Sequence, residues 1–238
     1  MPPMLRTIWA AIVGILASVF FAVAVLCIAA LRSTSQLIDG LIRLWARIVV
    51  KGAGIDLHAE GTELVDRQQR YILIANHSSY YDIPCIFAAI PQPIRFMAKV
   101  SLFKIPIFGW ALGRAGFIPI DRKNRRTAVR SFEQAIERIR KGNTIVVFPE
   151  EGRSRTREMR PFQRGGYLLA LRSGLPILPV AIDGTYDVFP AGATRVKPGR
   201  VTIRVGCAIE TAGLTVRDKD RLLEESRAQI LAMLGKEA

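Results

Sequence analysis

The sequence predicts an α/β domain, with a mostly parallel or mixed sheet flanked by helices, behind an N-terminal hydrophobic membrane-anchoring helical element. Two patterns predict this class. Short apolar runs alternate with longer amphipathic runs over residues 53–238, as expected when strands and helices alternate along the chain. Ahead of them, the 24 residues from Ile8 to Leu31 carry no charge. We therefore expect a membrane anchor and interfacial helix in residues 1–52 and one globular domain in residues 53–238.

The predicted elements are bounded by residues typical of turns and helix ends. Gly142 and Gly174 each follow a predicted helix, where glycine is the most common residue. The predicted strands are Ile55–Glu60, Tyr71–Ala75, Arg95–Ala98, Gly116–Ile120, Thr144–Phe148, Ile177–Ile182 and Val201–Val205. The predicted helices are Ser79–Ala89, Pro106–Ala115, Arg126–Lys141, Arg164–Ser173 and Arg217–Leu234. Because functional sites of open α/β sheets lie at the carboxyl ends of strands, the polar residues just after these strands are candidate site residues.

The uncharged run is long enough to cross a membrane. As a helix, its 24 residues would extend about 36 Å, against a hydrocarbon core of about 30 Å. A cleaved signal peptide is the alternative, although its apolar region usually covers only about 7–15 residues. Lys and Arg are more numerous after the run than before it. This asymmetry favours a domain on the cytoplasmic side of the inner (cytoplasmic) membrane.

The following segment, Ser35–Val50, has apolar residues at helical spacing and few polar ones, among them Arg43 and Arg47. Such a helix is suited to the membrane interface, although a helix packed on the domain core has the same spacing. Two anchors are compatible with the sequence. Either the first run crosses the bilayer, or it pairs with Ser35–Val50 and enters one leaflet only.

The charge of the chain indicates anionic partners. The net charge is +14, and residues 122–172 alone hold 14 Lys and Arg against 5 Asp and Glu, a local net charge of +9. Such a field attracts anionic lipid headgroups, phosphorylated acceptors and a phosphate-bearing acyl carrier. The sequence has no zinc-finger spacing, RNA-recognition signature or basic-region heptads, so we expect no nucleic acid partner.

The run NHSSYYD, Asn76 to Asp82, directly follows the apolar stretch YILIA. Histidine exchanges a proton near neutral pH, and a carboxylate can hold its second ring nitrogen. If a helix starts near Ser78 or Ser79, Asp82 lies about one turn along it and can reach His77. The pattern predicts an acid/base dyad, although a capping histidine with an acidic residue near a helix start would give the same letters.

Three further runs follow in order: GFIPIDR (Gly116 to Arg122), FPEEGRSR (Phe148 to Arg155) and LPILPV (Leu175 to Val180). Together with NHSSYYD they resemble the four ordered blocks of the glycerolipid acyltransferases, most closely the 1-acyl-glycerol-3-phosphate acyltransferases. The resemblance covers about residues 61–185. It implies an acyltransferase domain in residues 53–238.

The blocks fit the chemistry of acyl transfer from a thioester to an alcohol, which requires a base, a stabilised oxyanion and a protonated leaving group. His77 would act as base and acid, oriented by Asp82. Arg122 and Arg153 would grip a phosphate with their forked donors. Glu150 falls on a functional position of the third block, and its charge suits orienting Arg153 or a glycerol hydroxyl. Lys99 and Lys104 are candidate contacts for the acyl donor or for phosphate.

The third block departs from the usual FPEGTRS of the family, because Glu151 stands where glycine is usual and Gly152 where threonine is usual. A carboxylate there would repel phosphate unless it turned away or paired with Arg155 or Arg157. At Ser101, relatives often have an acidic residue.

The resemblance implies transfer of a fatty acyl chain from acyl-CoA or acyl-carrier protein to the sn-2 hydroxyl of lysophosphatidate, forming phosphatidate. Other acceptors are the alternative: glycerol 3-phosphate, another lysophospholipid or a lyso-aminolipid. We expect no metal or cofactor beyond the acyl carrier. Two alternatives come from other functional classes, an esterase and a non-catalytic lipid-binding protein. An esterase of the usual kind has a G-x-S-x-G elbow, which the sequence lacks, and a lipid-binding protein would not need His77. Cys85 lies among apolar residues, so we expect an inert buried thiol.

Overall fold

The computed structural model describes residues 2–31, 35–120 and 125–236, with the backbone alone for residues 35 and 125–129. Within these ranges the chain forms a seven-stranded sheet with helices on both faces. Along the sheet the strands follow the order β1-β7-β6-β2-β5-β3-β4. Their bounds are β1 (Ile55–Glu60), β2 (Ile72–Ala75), β3 (Ile94–Lys99), β4 (Ile118–Ile120), β5 (Thr144–Val147), β6 (Ile177–Asp183) and β7 (Gly199–Val205).

The sheet is mixed. β6, β2, β5, β3 and β4 run parallel to one another, whereas β7 pairs antiparallel with β6 and parallel with β1. β2 is central, with Ile72 opposite Ile145 of β5 and Ile177 of β6, and all four of its residues are fully buried. A continuous apolar strand is what burial on both faces requires. The predicted fold class is confirmed.

Helices fill the intervals between strands close to where the sequence predicts them. The largest difference is at the helix predicted from Ser79, which begins at Asp82 because residues 78–81 form a turn, in which Ser79 is bridged to Pro190. The bounds are α1 (Pro3–Ala30), α2 (Ser35–Gly52), α3 (Asp82–Ala89), α4 (Phe108–Ala115), α5 (Arg125–Arg140), α6 (Gly165–Ser173), α7 (Thr185–Val188) and α8 (Lys219–Met233). Short 3₁₀ turns cover Thr62–Leu64, Val100–Lys104 and Val216–Asp218.

The sheet has one apolar layer on each face. α2 and α3 pack on one face, through residues such as Ala46 and Ile86, and α5, α6 and α8 cover the other. A buried ion pair also ties α2 to the sheet, with Arg95 Nη2 of β3 lying 2.7 Å from Asp39 Oδ1. Arg95 is held in place by its Nε, which donates to the carbonyl of Ala115. Helix α2 and the sheet therefore pack as one body.

α1 lies against the domain along its length. Near its start the Thr7 hydroxyl accepts the backbone N–H of Val196, and near its end α1 packs with α4 through Val25 and Ala115. α1 also packs antiparallel to α2, where Trp45 Nε1 donates to Ser18 Oγ. By length and composition α1 could cross a membrane. Both of its ends nevertheless contact the domain.

Candidate active site

The site is built where β2 ends. The side-chain amide of Asn76 donates to the carbonyl of Ile182 and its oxygen accepts the Ile182 N–H, at 2.9 and 2.7 Å. These two bonds join the ends of β2 and β6. The next residue, His77, donates its backbone N–H to Glu150 Oε1 at 2.7 Å and accepts the Ser154 N–H at 2.8 Å. The backbone of His77 is therefore fixed by the segment after β5, and that of its neighbour Asn76 is fixed beside β6.

Asp82 holds the imidazole of His77. Its Oδ2 lies 2.7 Å from His77 Nδ1 and also accepts the backbone N–H groups of Ser78 and Ser79 at 2.7 and 2.8 Å. The turn at residues 78–81 brings the two side chains together, rather than the helical turn expected from the sequence. The Asp82 carboxylate is fully buried, and its Oδ1 has no hydrogen-bond partner among the described residues.

This geometry fixes the tautomer of His77. A carboxylate only accepts hydrogen bonds, so Nδ1 carries the proton and Nε2 keeps a lone pair that can take one. The ring also stacks on Phe148, with centroids 4.0 Å apart and planes 13° from parallel. Phe148 in turn stacks on Phe96, which fixes the ring plane of the histidine from behind. The arrangement can act as a general base and then as a general acid.

Glu150 supports the backbone of His77. The side chain is buried, with Oε1 on the His77 N–H and Oε2 on the Arg160 N–H at 2.8 Å. Both bonds are to backbone donors and neither is to Arg153, so the expectation that Glu150 orients Arg153 or a glycerol hydroxyl stays a prediction. Burial raises the pKa of Glu150 to about 7, and these two bonds limit the rise. The sequence does not reveal this role, since nothing in FPEEGRSR specifies which backbone N–H the carboxylate accepts.

Arg153 lies on the ring of Tyr80, three residues after His77. Its guanidinium carbon is 3.4 Å from the ring centroid, and its Nη1 is buried without a hydrogen-bond partner among the described residues. A buried unpaired guanidinium nitrogen is costly in the absence of an anion. A guanidinium carries its donors in a planar fork that suits a carboxylate or phosphate. Tyr80 was not singled out by the sequence, where it reads as one of two adjacent tyrosines.

The other predicted contacts are Arg122, Lys99 and Lys104. Arg122 lies outside the described residues. Lys99 and Lys104 are exposed at the two ends of the 3₁₀ turn before α4, and neither lines the cavity described below.

Glu151 turns away into solvent on a left-handed backbone with φ of 56°. Glycine, the residue of the resembled sequence block at this position, adopts positive φ without strain. Arg157, one expected partner of Glu151, pairs instead with Asp187.

An apolar cavity of about 700 Å³ opens beside the site. Its walls come from α1, α2, α3 and the segment around α4, and they include Trp45, Phe87 and Ile107. Tyr80 is part of the wall, so one side chain borders both the cavity and Arg153. The volume is within the usual range of about 300–1,000 Å³ for ligand pockets.

The remaining reactive side chains lie elsewhere. Burial raises the pKa of the Cys85 thiol far above its usual value, so it stays protonated. His58 is exposed on β1 beside Asp56. In the part of the chain that the structure describes, no group of His, Cys, Asp and Glu is placed to hold a metal ion.

The His77–Asp82 pair can transfer a proton, and it lies near an arginine nitrogen with no hydrogen-bond partner among the described residues and beside an apolar cavity. The chain belongs to the Acyltransferase family, whose model matches residues 56–183, more than half of its 238 residues. The family resemblance of the four sequence blocks is therefore confirmed.

Several curated relatives share this region. A protein of Chlamydomonas reinhardtii named 1-acyl-sn-glycerol-3-phosphate acyltransferase is 30% identical over 70% of this chain and 49% of its own. One of the same name from Saccharomyces cerevisiae is 31% identical over 76% of this chain and 60% of its own. The chain thus spans about half the length of the first of these relatives.

Among solved structures, the 1-acyl-sn-glycerophosphate (LPA) acyltransferase PlsC of Thermotoga maritima superposes with a TM-score of 0.84 at 25% identity. The match covers 99% of this chain and 98% of that one. It includes the mixed sheet and its flanking helices, so the whole described fold has a solved counterpart.

Proposed function

We propose that this protein transfers a fatty acyl chain from a thioester donor, acyl-CoA or acyl-carrier protein, to the sn-2 hydroxyl of 1-acyl-glycerol 3-phosphate, forming phosphatidate. One observation carries the proposal: Tyr80, three residues after His77, borders both the apolar cavity and Arg153, whose Nη1 has no hydrogen-bond partner among the described residues. A lysophosphatidate has an acyl chain, a hydroxyl and a phosphate in the same order. The names of the relatives favour the same acceptor.

The reaction needs one proton carrier. The acceptor hydroxyl lies at His77 Nε2, which takes its proton as the oxygen attacks the thioester carbonyl. Asp82 stabilises the imidazolium through Nδ1–H. When the tetrahedral intermediate collapses, the carbon–sulfur bond breaks and the imidazolium returns the proton to the thiolate. The ester and the free thiol of the carrier leave, and no acyl-enzyme forms.

Arg153 holds the acceptor by its phosphate. The phosphate completes the hydrogen bonding of Nη1, which has no partner among the described protein groups. A charge-assisted bond of this kind contributes about 1.5–3 kcal/mol. The apolar cavity takes an acyl chain and excludes water from the reacting atoms.

We further propose that α1 and α2 enter one leaflet of the membrane and that the domain stays on the cytoplasmic side. Both ends of α1 contact the domain, through Thr7 and through the packing of Val25 on α4, which favours an embedded helix over one that crosses. The exposed face of α1 is apolar along its length and includes Ile12, Leu16 and Phe20. A bilayer would cover that face.

The test is release of free thiol by the purified protein, measured with acyl-CoA and with acyl-carrier protein in turn. The acceptor panel is 1-acyl-glycerol 3-phosphate, glycerol 3-phosphate, lysophosphatidylcholine and water alone. We expect rapid release and a phosphatidate product with the first acceptor only. Equal release without any acceptor would identify an esterase. No release under any condition would leave a lipid-binding protein and contradict the proposal.

A further inference from the structure

Four large apolar side chains are exposed on the segment before and within α4, at Leu102, Ile105, Ile107 and Trp110. We call them the α4 patch. Trp110 is 62% exposed, whereas other aromatic side chains of the domain, such as Tyr167, are buried in its core. An exposed apolar cluster of this kind marks a surface that contacts another apolar partner.

The backbone of the segment is held in an uncommon conformation. Ile107 has φ of 66° and ψ of −61°, and the Phe108 N–H bonds to the carbonyl of Pro106 at 2.7 Å. This is a γ-turn with positive φ, which is rare and strained for a β-branched residue. The turn directs Ile107 to the surface at the wall of the apolar cavity. Strain of this kind persists where the surroundings enforce it, often at functional positions.

The α4 patch continues the apolar face of α1. α4 packs on α1 through Ala111, Ala115 and Ala22, and the exposed face of α1 carries further large apolar residues such as Val19 and Val23. The same partner can therefore cover both surfaces. The chemistry of α1, which is long and apolar enough to cross a membrane, favours lipid.

The charges around the patch favour an anionic lipid surface over a second copy of the chain. From Ile94 to Ile118 the sequence has no Asp or Glu, and Lys99, Lys104 and Arg114 are exposed beside the patch. Basic residues that flank apolar and aromatic side chains are typical of the membrane interface. Two copies meeting through this patch would bring like charges together.

We propose that the α4 patch is a third membrane-contacting element, which inserts Trp110 and its apolar neighbours into an anionic bilayer beside α1 and α2. The basic residues around it then lie at headgroup level. The proposal rests on the proposed function only in taking lipid as the environment of the substrate. Its first readout is independent of catalysis.

The test uses tryptophan as a depth probe. The chain has three tryptophans, so Trp9→Phe with Trp45→Phe leaves Trp110 alone in the full-length protein. The control replaces Trp110 as well and introduces Val216→Trp. Val216 is also an exposed apolar residue, and it precedes α8 on the opposite face of the sheet. Both proteins are bound to phosphatidylglycerol-containing vesicles with bromine atoms on the acyl chains. We expect quenching of Trp110 and none at position 216.

A second readout uses activity. Trp110 does not line the cavity, so Trp110→Glu should leave turnover on detergent-dispersed substrate unchanged while turnover on vesicle-borne substrate falls by about tenfold. Val216→Glu makes the same change at the control position and should alter neither. An unquenched Trp110 would overturn the proposal. This holds also if the side chain is unquenched because a second copy of the chain covers it. Equal losses in detergent and vesicles would overturn it too, because they would assign Trp110 to the fold or to catalysis.

Discussion

The two ends of the site differ in how their hydrogen bonds are satisfied. At the acid/base end, the backbone and ring of His77 are bonded to Glu150, Ser154 and Asp82. At the basic end, Arg153 rests on an aromatic ring with Nη1 unpaired among the described residues. At the first end the protein supplies the bonds that orient the imidazole, although Asp82 Oδ1 has no partner among the described residues, whereas in the proposed function an anion completes the second end.

The difference separates two tasks. Proton transfer requires groups held within a fraction of an ångström, so the protein itself supplies every bond that orients the imidazole. A hydrogen bond to a ligand contributes most to the free energy of binding when donor and acceptor are charged. Changes at the acid/base end should therefore lower turnover, and changes at the basic end should weaken acceptor binding.

The largest effect is expected at His77. His77→Ala should lower turnover by about 10²–10⁴, because the base is removed while the fold is kept. Asp82→Asn should lower turnover as well, since an amide favours the wrong tautomer. Steady-state kinetics on folded, membrane-bound protein is the measurement. His58→Ala is the matched control, because that histidine is exposed on β1 away from the site. Near wild-type turnover for His77→Ala would end the dyad account.

A smaller effect is expected at Arg153. Arg153→Ala should raise KM for the phosphorylated acceptor by about 10- to 100-fold, the equivalent of one charge-assisted bond, with little change in KM for the acyl donor. Arg153→Lys should restore part of the loss, because a point charge cannot replace the fork. Arg217→Ala, an exposed arginine before α8, is the control. Equal increases for both substrates would instead assign Arg153 to donor binding or to structure.

The effect of Glu150→Gln on kcat should depend on pH. Above pH 7 the carboxylate accepts two backbone N–H groups, and protonation at lower pH turns one acceptor into a donor that faces an N–H. Glu150→Gln resembles the protonated form at every pH. The ratio of wild-type to variant kcat should thus be about tenfold above pH 8 and approach one near pH 5.5, with its midpoint near the raised pKa. Taking the ratio removes pH effects that are common to both proteins, and a ratio independent of pH would contradict the role.

The smallest effect is expected at Glu151, which concerns stability rather than activity. Its left-handed backbone should make Glu151→Gly more stable than Glu151→Ala by about 1 kcal/mol, the reverse of the usual order of these residues. Both variants remove the carboxylate, so their difference isolates the backbone. Chemical denaturation in detergent measures it. An Ala variant at least as stable as the Gly variant would show that the turn carries no strain.

What the sequence predicts is mainly what is local. The strands are continuous apolar runs, and β1 is predicted to the residue because its boundaries are turns. The His77–Asp82 pair is five residues apart, so a short turn suffices to form it. The role of Glu150 depends on the backbone N–H of His77, which is 73 residues away in the sequence. The position of Arg153 depends in the same way on the ring of Tyr80, which is equally distant in the sequence. The antiparallel direction of β7 and the cavity under α1 also arise only from packing.

The most direct test compares two acceptors, 1-acyl-glycerol 3-phosphate and 1-acyl-glycerol, on three proteins: wild type, His77→Ala and Arg153→Ala. The measured quantity is kcat/KM for ester formation. The account predicts that His77→Ala loses activity toward both acceptors by a similar factor, whereas Arg153→Ala loses it only toward the acceptor with phosphate. A loss of the same size for both acceptors in Arg153→Ala would contradict the claim that one end of the site transfers the proton and the other holds the phosphate.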